Sequence, residues 1–131
     1  MSKIRVLVAD DHRQVLEYVT GLLSADCCEV VGAVNDGQAA LDAAVNLQPD
    51  VVVLDVSMPV LNGIQTAKRL LEIHPAAKIV FLTADTDPDT CRAALEMGAL
   101  GYVLKLRLGT DLIPAINQAK LGHRFVSQGC E

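Results

Sequence analysis

Aromatic residues are scarce in this chain, and long apolar runs are missing. The 131 residues include no tryptophan, two tyrosines and two phenylalanines, yet 51% of the residues are hydrophobic. The sequence therefore predicts a single domain whose core is built from aliphatic side chains. No apolar stretch approaches the roughly 18 residues that a membrane-spanning helix needs, so we expect no membrane contact.

Signal-peptide features and excess positive charge are also missing. Asp10 and Asp11 interrupt the opening apolar stretch, so we expect a protein that is not exported and works in the cytoplasm. Eleven Lys and Arg residues stand against sixteen Asp and Glu, which gives a net charge of −5. This balance argues against nucleic-acid binding through a general positive field.

Neither the cysteines nor the glycines form a ligand-binding motif. Cys27 and Cys28 are adjacent and so lack the two-residue gap of a zinc clamp or redox motif, and we expect the four cysteines to be reduced thiols. The nine glycines match neither of the spacings that cradle nucleotide phosphates, which argues against nucleotide binding.

Short apolar runs alternate with longer helical patterns along the chain. Runs of β-branched residues predict strands, and apolar residues spaced three and four apart predict the helices between them. Pro114 is expected in the first turn of the last helix, where its missing N–H costs little. The predicted strands are Ile4–Ala9, Glu29–Val34, Asp50–Leu54, Lys78–Leu82 and Leu100–Leu104, and the predicted helices cover 15–23, 38–47, 63–73, 88–97 and 110–121.

Strands that are separated by helices run parallel, with right-handed crossovers that place helices on both faces of the sheet. The sequence thus predicts an α/β fold with a doubly wound parallel sheet of five strands and five helices. Five strands suit the flavodoxin-like order 2-1-3-4-5, although periodicity alone does not fix that order. We expect residues 1–122 to form this domain and residues 123–131 to be a short C-terminal tail.

Polar residues follow the predicted strands at the points where they end. Asp10 and Asp11 follow the first strand, Asp55 the third, Thr83 the fourth and Lys105 the fifth. Ligands bind at this edge of a doubly wound sheet, near the point where the strand order reverses. The sequence therefore predicts that three carboxylates, a hydroxyl and an ammonium group converge there.

Three neighbouring carboxylates need a compensating charge, because like charges repel and raise one another's pKa. Oxygen ligands on a partly hydrated site favour Mg²⁺ over zinc. No cysteine or histidine lies at a strand end to favour a softer metal. The nearest histidine is His12, to which we assign a capping or surface position.

These motifs resemble the receiver domain of two-component response regulators, a CheY-like family, and especially the receivers of NarL/FixJ-type transcription factors. The resemblance covers residues 3–122, and no single motif is specific without the others. Their shared feature is that they occur in order at strand ends: Asp10-Asp11, Asp55 with Met58-Pro59 and Asn62-Gly63, Thr83-Ala84, and Gly101-Tyr102-Val103-Leu104-Lys105.

The resemblance implies a phosphorylation site and a metal site. Asp55 would accept a phosphoryl group from a phosphohistidine of a sensor histidine kinase. Asp11, Asp55 and the backbone carbonyl of Ser57 would bind Mg²⁺, with Asp10 acting mainly through water. Catalysis of this transfer is mostly positioning and electrostatics. The chain would then be a signalling phosphoacceptor and not an enzyme acting on a separate substrate.

The resemblance also implies a switch. Lys105 would pair with a phosphoryl oxygen, and Thr83 would bind another and make room for Tyr102 to turn inward. This movement would change the face formed by the fourth helix, the fifth strand and the fifth helix, through which a homodimer can form. Ser57 and Asp85 would tune dephosphorylation. The output would be transcriptional regulation through a domain outside this segment.

The sequence departs from the pattern at Leu106, where many receivers have a proline after the lysine. Five site residues also have a plainer interpretation: a turn or helix cap for Asp10 and Asp55, a backbone-bonded hydroxyl for Thr83, a solvated side chain for Lys105 and core packing for Tyr102. Two other functions remain open. One is a pseudo-receiver that binds partners without phosphorylation, and the other is a haloacid-dehalogenase-type phosphatase, whose Asp-x-Asp motif after the first strand is missing.

Overall fold

Strands and helices alternate from the first described residue to the last in the computed structural model, which describes residues 3–127. Within these residues the chain forms six strands, five α-helices and one 3-10 turn. In chain order they are β1 (Ile4–Ala9), α1 (Arg13–Ser24), β2 (Cys28–Val34), α2 (Gly37–Leu47), β3 (Val51–Leu54), α3 (Gly63–Ile73), β4 (Ile79–Thr83), α4 (Pro88–Glu96), β5 (Gly101–Leu104), the 3-10 turn Lys105–Arg107, α5 (Leu108–Lys120) and β6 (Phe125–Val126).

All strand pairs in the sheet are parallel, in the order β2-β1-β3-β4-β5-β6. The predicted order of the first five strands is confirmed, as is the doubly wound α/β class. Every residue of β3, β4 and β5 is buried, because helices cover both faces of the sheet, as the unbroken apolar run of β3 predicts.

Successive residues of each strand point to opposite faces and fill two separate cores. Leu7, Leu54 and Phe81 pack under α2, α3 and α4. Val8, Val53 and Leu82 face the other way and pack under α1 and α5. No helix within residues 3–127 has the length and apolarity that crossing a membrane requires.

The sheet has a sixth strand, Phe125–Val126, so the predicted count of five strands is wrong. Gly122 has a φ of 82° and lets the chain reverse after α5. The N–H of Phe125 then donates to Leu100 and the N–H of Ser127 donates to Tyr102, both at 2.9 Å. These bonds attach β6 to the edge of β5. Residues 128–131 lie outside the described part of the chain.

The last helix begins earlier than predicted. It starts at Leu108, so Pro114 lies inside it and not in its first turn. Pro114 has no N–H to donate to Thr110, but both residues are exposed, so water can reach the free carbonyl. The helix can therefore continue through the proline at a reduced free-energy cost.

Candidate functional site

The carboxyl ends of four strands bring the predicted site residues to one edge of the sheet. Asp10 follows β1 and Asp55 follows β3, which pair directly. Thr83 ends β4, and Lys105 follows β5. Asp10 and Asp55 are buried, with only 3% of Asp55 exposed, whereas Asp11 lies at the surface beside them.

Lys105 provides the positive charge between the two buried carboxylates. Its Nζ lies 2.9 Å from Asp10 Oδ2 and 3.3 Å from Asp55 Oδ2, and 16% of its side chain is exposed. A buried ion pair of this kind stabilises little in net terms, because desolvation of the charges offsets their attraction. Its main effect is therefore to hold the lysine against both carboxylates.

The pKa of Asp55 is raised to about 6 from its ordinary value of 3.8. Burial is the largest cause, and repulsion by Asp10 adds to it. Attraction to Lys105 and the hydrogen bond from the Ser57 N–H to Asp55 Oδ1, at 3.3 Å, act in the opposite direction. One ammonium group thus leaves the negative charge of the site only partly compensated.

The cluster fits a divalent cation. Asp10, Asp11, His12 and Asp55 each offer a ligand atom, and these atoms lie within 4.8 Å of one another. Asp10 Oδ2 is buried and, within residues 3–127, receives no well-aligned hydrogen bond, although the Lys105 ammonium is in ion-pair contact with it. Carboxylate oxygens with a free lone pair are the ligands that Mg²⁺ favours.

His12 belongs to this cluster, which the sequence analysis did not expect. It lies at the N-cap of α1, but its side chain caps no backbone N–H. Its Nδ1 lies 3.2 Å from Asp10 Oδ1, 3.2 Å from Asp11 Oδ1 and 3.5 Å from Lys105 Nζ. The ring folds back because the His12 N–H donates to Asp10 Oδ1 at 2.8 Å. The short spacing to the two aspartates was the only sequence signal for this position.

The loop after β3 is built to hold Asp55. Asn62 and Gln65 form a capping box at the start of α3. The Gly63 N–H donates to the Val56 carbonyl at 2.8 Å, so the helix start is fastened to the residue after Asp55. Val60 has a φ of 69°, a conformation in which a β-branched residue stores strain.

Thr83 and Tyr102 are connected through the backbone of Asp85. The Asp85 N–H donates to Thr83 Oγ1 at 3.0 Å, and the Tyr102 hydroxyl donates to the Asp85 carbonyl at 3.2 Å. Tyr102 is fully buried, with its ring centroid 6.4 Å from that of Phe81. The tyrosine therefore already occupies the inward position.

The two residues expected to tune dephosphorylation are both exposed. Ser57 contacts Asp55 through its backbone N–H. The carboxylate of Asp85 accepts a hydrogen bond from the Asp87 N–H at 2.8 Å and thereby shapes the loop before α4. Both residues flank the carboxyl edge of the sheet, and their roles stay predictions.

Leu106, the departure from the receiver pattern, lies in the 3-10 turn Lys105–Arg107. Its side chain is 91% exposed. It borders a cavity of about 320 Å³ that is also lined by Thr83, Ala84 and Lys105. Space for a ligand or a partner side chain therefore lies directly beside the carboxylate cluster.

Comparison with known proteins supports the same family from sequence and from structure. Residues 6–117 match the response regulator receiver domain model. The chain is 39% identical to response regulator GacA of Pseudomonas viridiflava over 126 residues, 95% of this chain and 58% of that protein. It is 36% identical to transcriptional regulatory protein LiaR of Bacillus subtilis over 91% of this chain and 57% of LiaR.

A solved structure agrees with these relatives. The signal receiver domain of a NarL response regulator from Mycobacterium tuberculosis superposes with a TM-score of 0.89 at 33% identity, covering 94% of this chain and all of that one. The chain thus spans somewhat more than half the length of the curated relatives GacA and LiaR.

Proposed function

Because the chain belongs to the response regulator receiver domain family, we propose that Asp55 accepts a phosphoryl group from a sensor histidine kinase. This family consists of signalling phosphoacceptors in two-component systems and not of classical enzymes. The observation that supports the assignment is the buried Asp55 carboxylate beside the Lys105 ammonium and the Asp10 carboxylate.

The carboxylate of Asp55 attacks the phosphorus atom of the kinase phosphohistidine. An O–P bond forms, the P–N bond breaks, and its electron pair stays on the leaving imidazole. Lys105 pairs with one phosphoryl oxygen as the negatively charged phosphoryl group moves toward Asp55, and the Thr83 hydroxyl donates a hydrogen bond to another of its oxygens. Prepositioned groups of this kind lower the barrier, because they do not need to reorganise during the transfer.

Receiver domains bind Mg²⁺ at an acidic pocket. We assign the ligands in this chain to Asp10, Asp11, Asp55 and the backbone carbonyl of Ser57. When bound, the cation supplies charge neutralisation for the incoming phosphoryl group. The free lone pair of Asp10 Oδ2 and the partly uncompensated charge of the cluster support this assignment.

Phosphorylation changes the face formed by α4, β5 and α5 in this proposal. Thr83 moves toward the phosphoryl group and draws Asp85 with it through the hydrogen bond between them. The Asp85 carbonyl accepts a hydrogen bond from the Tyr102 hydroxyl, so the side chain of Tyr102 on β5 is displaced too. A homodimer forms through this face, while Ser57 and Asp85 set the rate of dephosphorylation.

We propose that the receiver domain extends past residue 122 to at least residue 127, because β6 belongs to its sheet. The whole protein regulates transcription in the cytoplasm through an output domain, by analogy with LiaR, of which this chain spans 57%. We assign no nucleic-acid binding to this segment, whose net charge is −5.

Acetyl phosphate with Mg²⁺ tests the phosphoacceptor assignment directly. Intact-mass measurement is expected to show a gain of one phosphoryl group, about 80 Da, that alkali removes. The gain is expected to vanish in Asp55→Asn and to fall strongly in EDTA. An unmodified protein would indicate a pseudo-receiver, and steady turnover of phosphate esters would indicate a phosphatase.

Beryllofluoride, a phosphoryl mimic, tests the switch. Amide NMR signals of Thr83, Asp85 and Tyr102 are expected to shift together when it binds with Mg²⁺, because hydrogen bonds join the three residues. Thr83→Ala removes the first bond, so the Tyr102 shift is expected to shrink while the signals next to Asp55 still respond. Shifts confined to the Asp55 loop in the unaltered protein would rule out this route.

A further inference from the structure

Asp111, in the first turn of α5, is a buried carboxylate outside the phosphorylation site. It follows the 3-10 turn Lys105–Arg107 in the chain and has two hydrogen-bond partners of its own. Arg107 Nε donates to its Oδ2 at 2.9 Å, and Ser127 Oγ donates to the same oxygen at 2.7 Å. Burial opposes ionisation of Asp111, but these partners outweigh it and keep its pKa below the ordinary value.

Ser127 connects this carboxylate to the end of β5. Only 1% of the residue is exposed. Its Oγ accepts a hydrogen bond from the Leu104 N–H at 3.1 Å while it donates to Asp111. Its own N–H donates to the Tyr102 carbonyl at 2.9 Å. Ser127, which directly follows β6, is therefore bonded to Leu104, the residue that directly precedes Lys105.

Both ends of the turn that bears Lys105 are thus tied to Asp111. Leu104, before the turn, reaches Asp111 through Ser127, and Arg107, at its end, binds Asp111 directly. A lysine has four rotatable side-chain bonds, so aiming its ammonium group requires a fixed backbone.

We propose that Arg107, Asp111 and Ser127 act as a positioning network that aims Lys105 at Asp55 and transmits its displacement to β6. This inference rests on the proposed phosphoacceptor function. When Lys105 pairs with a phosphoryl oxygen, the turn moves, and the hydrogen bond between Leu104 and Ser127 carries that movement into Phe125–Val126. This side-chain route to the C-terminal strand exists in addition to the backbone bonds that join β6 to Tyr102.

Ser127→Ala tests the network, because it removes both side-chain hydrogen bonds. The rate of phosphorylation by acetyl phosphate is expected to fall roughly three- to tenfold, while the Mg²⁺ concentration for half-maximal rate stays unchanged. Beryllofluoride is expected to shift the amide signals of Phe125 and Val126 less in Ser127→Ala than in the unaltered protein, because only the backbone bonds between β6 and β5 remain. Thr83 signals are expected to respond in both.

Asp50→Asn is the matched control. Like Asp111, Asp50 is paired with a cation, Lys120 at 3.1 Å, and accepts a second hydrogen bond, from the Arg5 N–H at 2.8 Å, but it lies at the opposite edge of the sheet. Equal loss of melting temperature in Asp50→Asn and Ser127→Ala, with slower phosphorylation only in the latter, is the expected result. Such a pattern separates positioning from simple loss of stability.

Arg107→Gln is a second variant for the case in which Ser127→Ala does not fold. Arg107 is substantially exposed, and its replacement releases only one end of the turn, so a smaller decrease of the rate is expected. Unchanged rates and an unchanged Phe125–Val126 response in the variants would overturn the network. An unaltered protein that takes up no phosphoryl group would instead overturn the proposed function on which the network rests.

Discussion

Replacing Asp55 with asparagine is expected to stabilise the metal-free protein by about 3 kcal/mol at pH 7. Burial and the charge of Asp10 raise the pKa of Asp55 to about 6, against 3.8 for an ordinary aspartate. The charged carboxylate is therefore less favourable in the folded protein than in the unfolded chain. Asparagine has nearly the same shape without the charge and can still accept the hydrogen bond from Ser57.

The effect depends on pH in a defined direction. Because the folded protein holds the Asp55 proton more tightly than the unfolded chain, it binds more protons between about pH 4 and pH 6. The contribution of Asp55 to the free energy of unfolding is therefore most favourable below about pH 4 and is lost as the pH rises through 6. The advantage of Asp55→Asn is expected to be small at pH 4 and complete at pH 7.

Urea unfolding of both proteins in EDTA, at several pH values from 4 to 7.5, measures this difference. Adding Mg²⁺ at pH 7 is expected to reduce it, because a bound cation stabilises the charged carboxylate of the native state only. Asp42→Asn is the control, since Asp42 is exposed on α2. A constant difference between Asp55→Asn and the unaltered protein across the pH range would contradict this account.

Five of the six strands could be predicted because each has a clear apolar pattern and ends at a polar residue. β3 is the best example, since its four apolar residues are all buried. β6 could not be predicted, because it contains only Phe125 and Val126 and depends on hydrogen bonds to a strand about 24 residues earlier in the chain. A two-residue strand has no periodicity to detect.

The helix α5 begins at Leu108, before the predicted start at residue 110, and Pro114 does not mark its first turn. Pro114 is expected near a helix start on local grounds. The structure instead begins the helix at Leu108, where Arg107 and Asp111 form an ion pair four residues apart. An arginine and an aspartate four residues apart are a local signal of helix at these positions.

The members of the site were easier to predict than their side-chain directions. Parallel strands bring Asp10, Asp55 and Lys105 to one edge of the sheet whatever their rotamers are. The position of His12 over the carboxylates depends on its contacts with Asp10 and Asp11, and the burial of Tyr102 depends on the packing of neighbouring helices. Neither can be deduced from the spacing of residues along the chain.

Replacing Gly63 with alanine is expected to destabilise the protein by about 3 kcal/mol or more. A Cβ atom at this position would overlap the carbonyl oxygen of Asp55 and lie 2.9 Å from Val56 Cα. These are backbone atoms at the end of β3, so no side-chain rotation can relieve the overlap. The Gly63 N–H is also hydrogen-bonded to Val56, which leaves the start of α3 little freedom to move away.

The same substitution is expected to slow phosphoryl uptake more than the loss of stability explains. Displacing the carbonyl of Asp55 also displaces its carboxylate relative to Lys105, and a shift of about 1 Å can reduce the rate of a positioned reaction about a hundredfold. Intact-mass kinetics with acetyl phosphate, at a temperature where urea unfolding shows the variant to be folded, separate the two effects.

Gly21→Ala is the matched control for Gly63→Ala. Gly21 lies inside α1, and a Cβ there meets no atom within 4 Å. Alanine is a better helix former than glycine, so this variant is expected to be more stable by up to about 1 kcal/mol, with an unchanged rate of phosphorylation. Opposite signs of the two stability changes would show that close packing against Asp55, and not the loss of glycine as such, determines the result. Equal and small changes in both variants would mean that the loop after β3 can rearrange, and the rigid placement of Asp55 argued above would then be wrong.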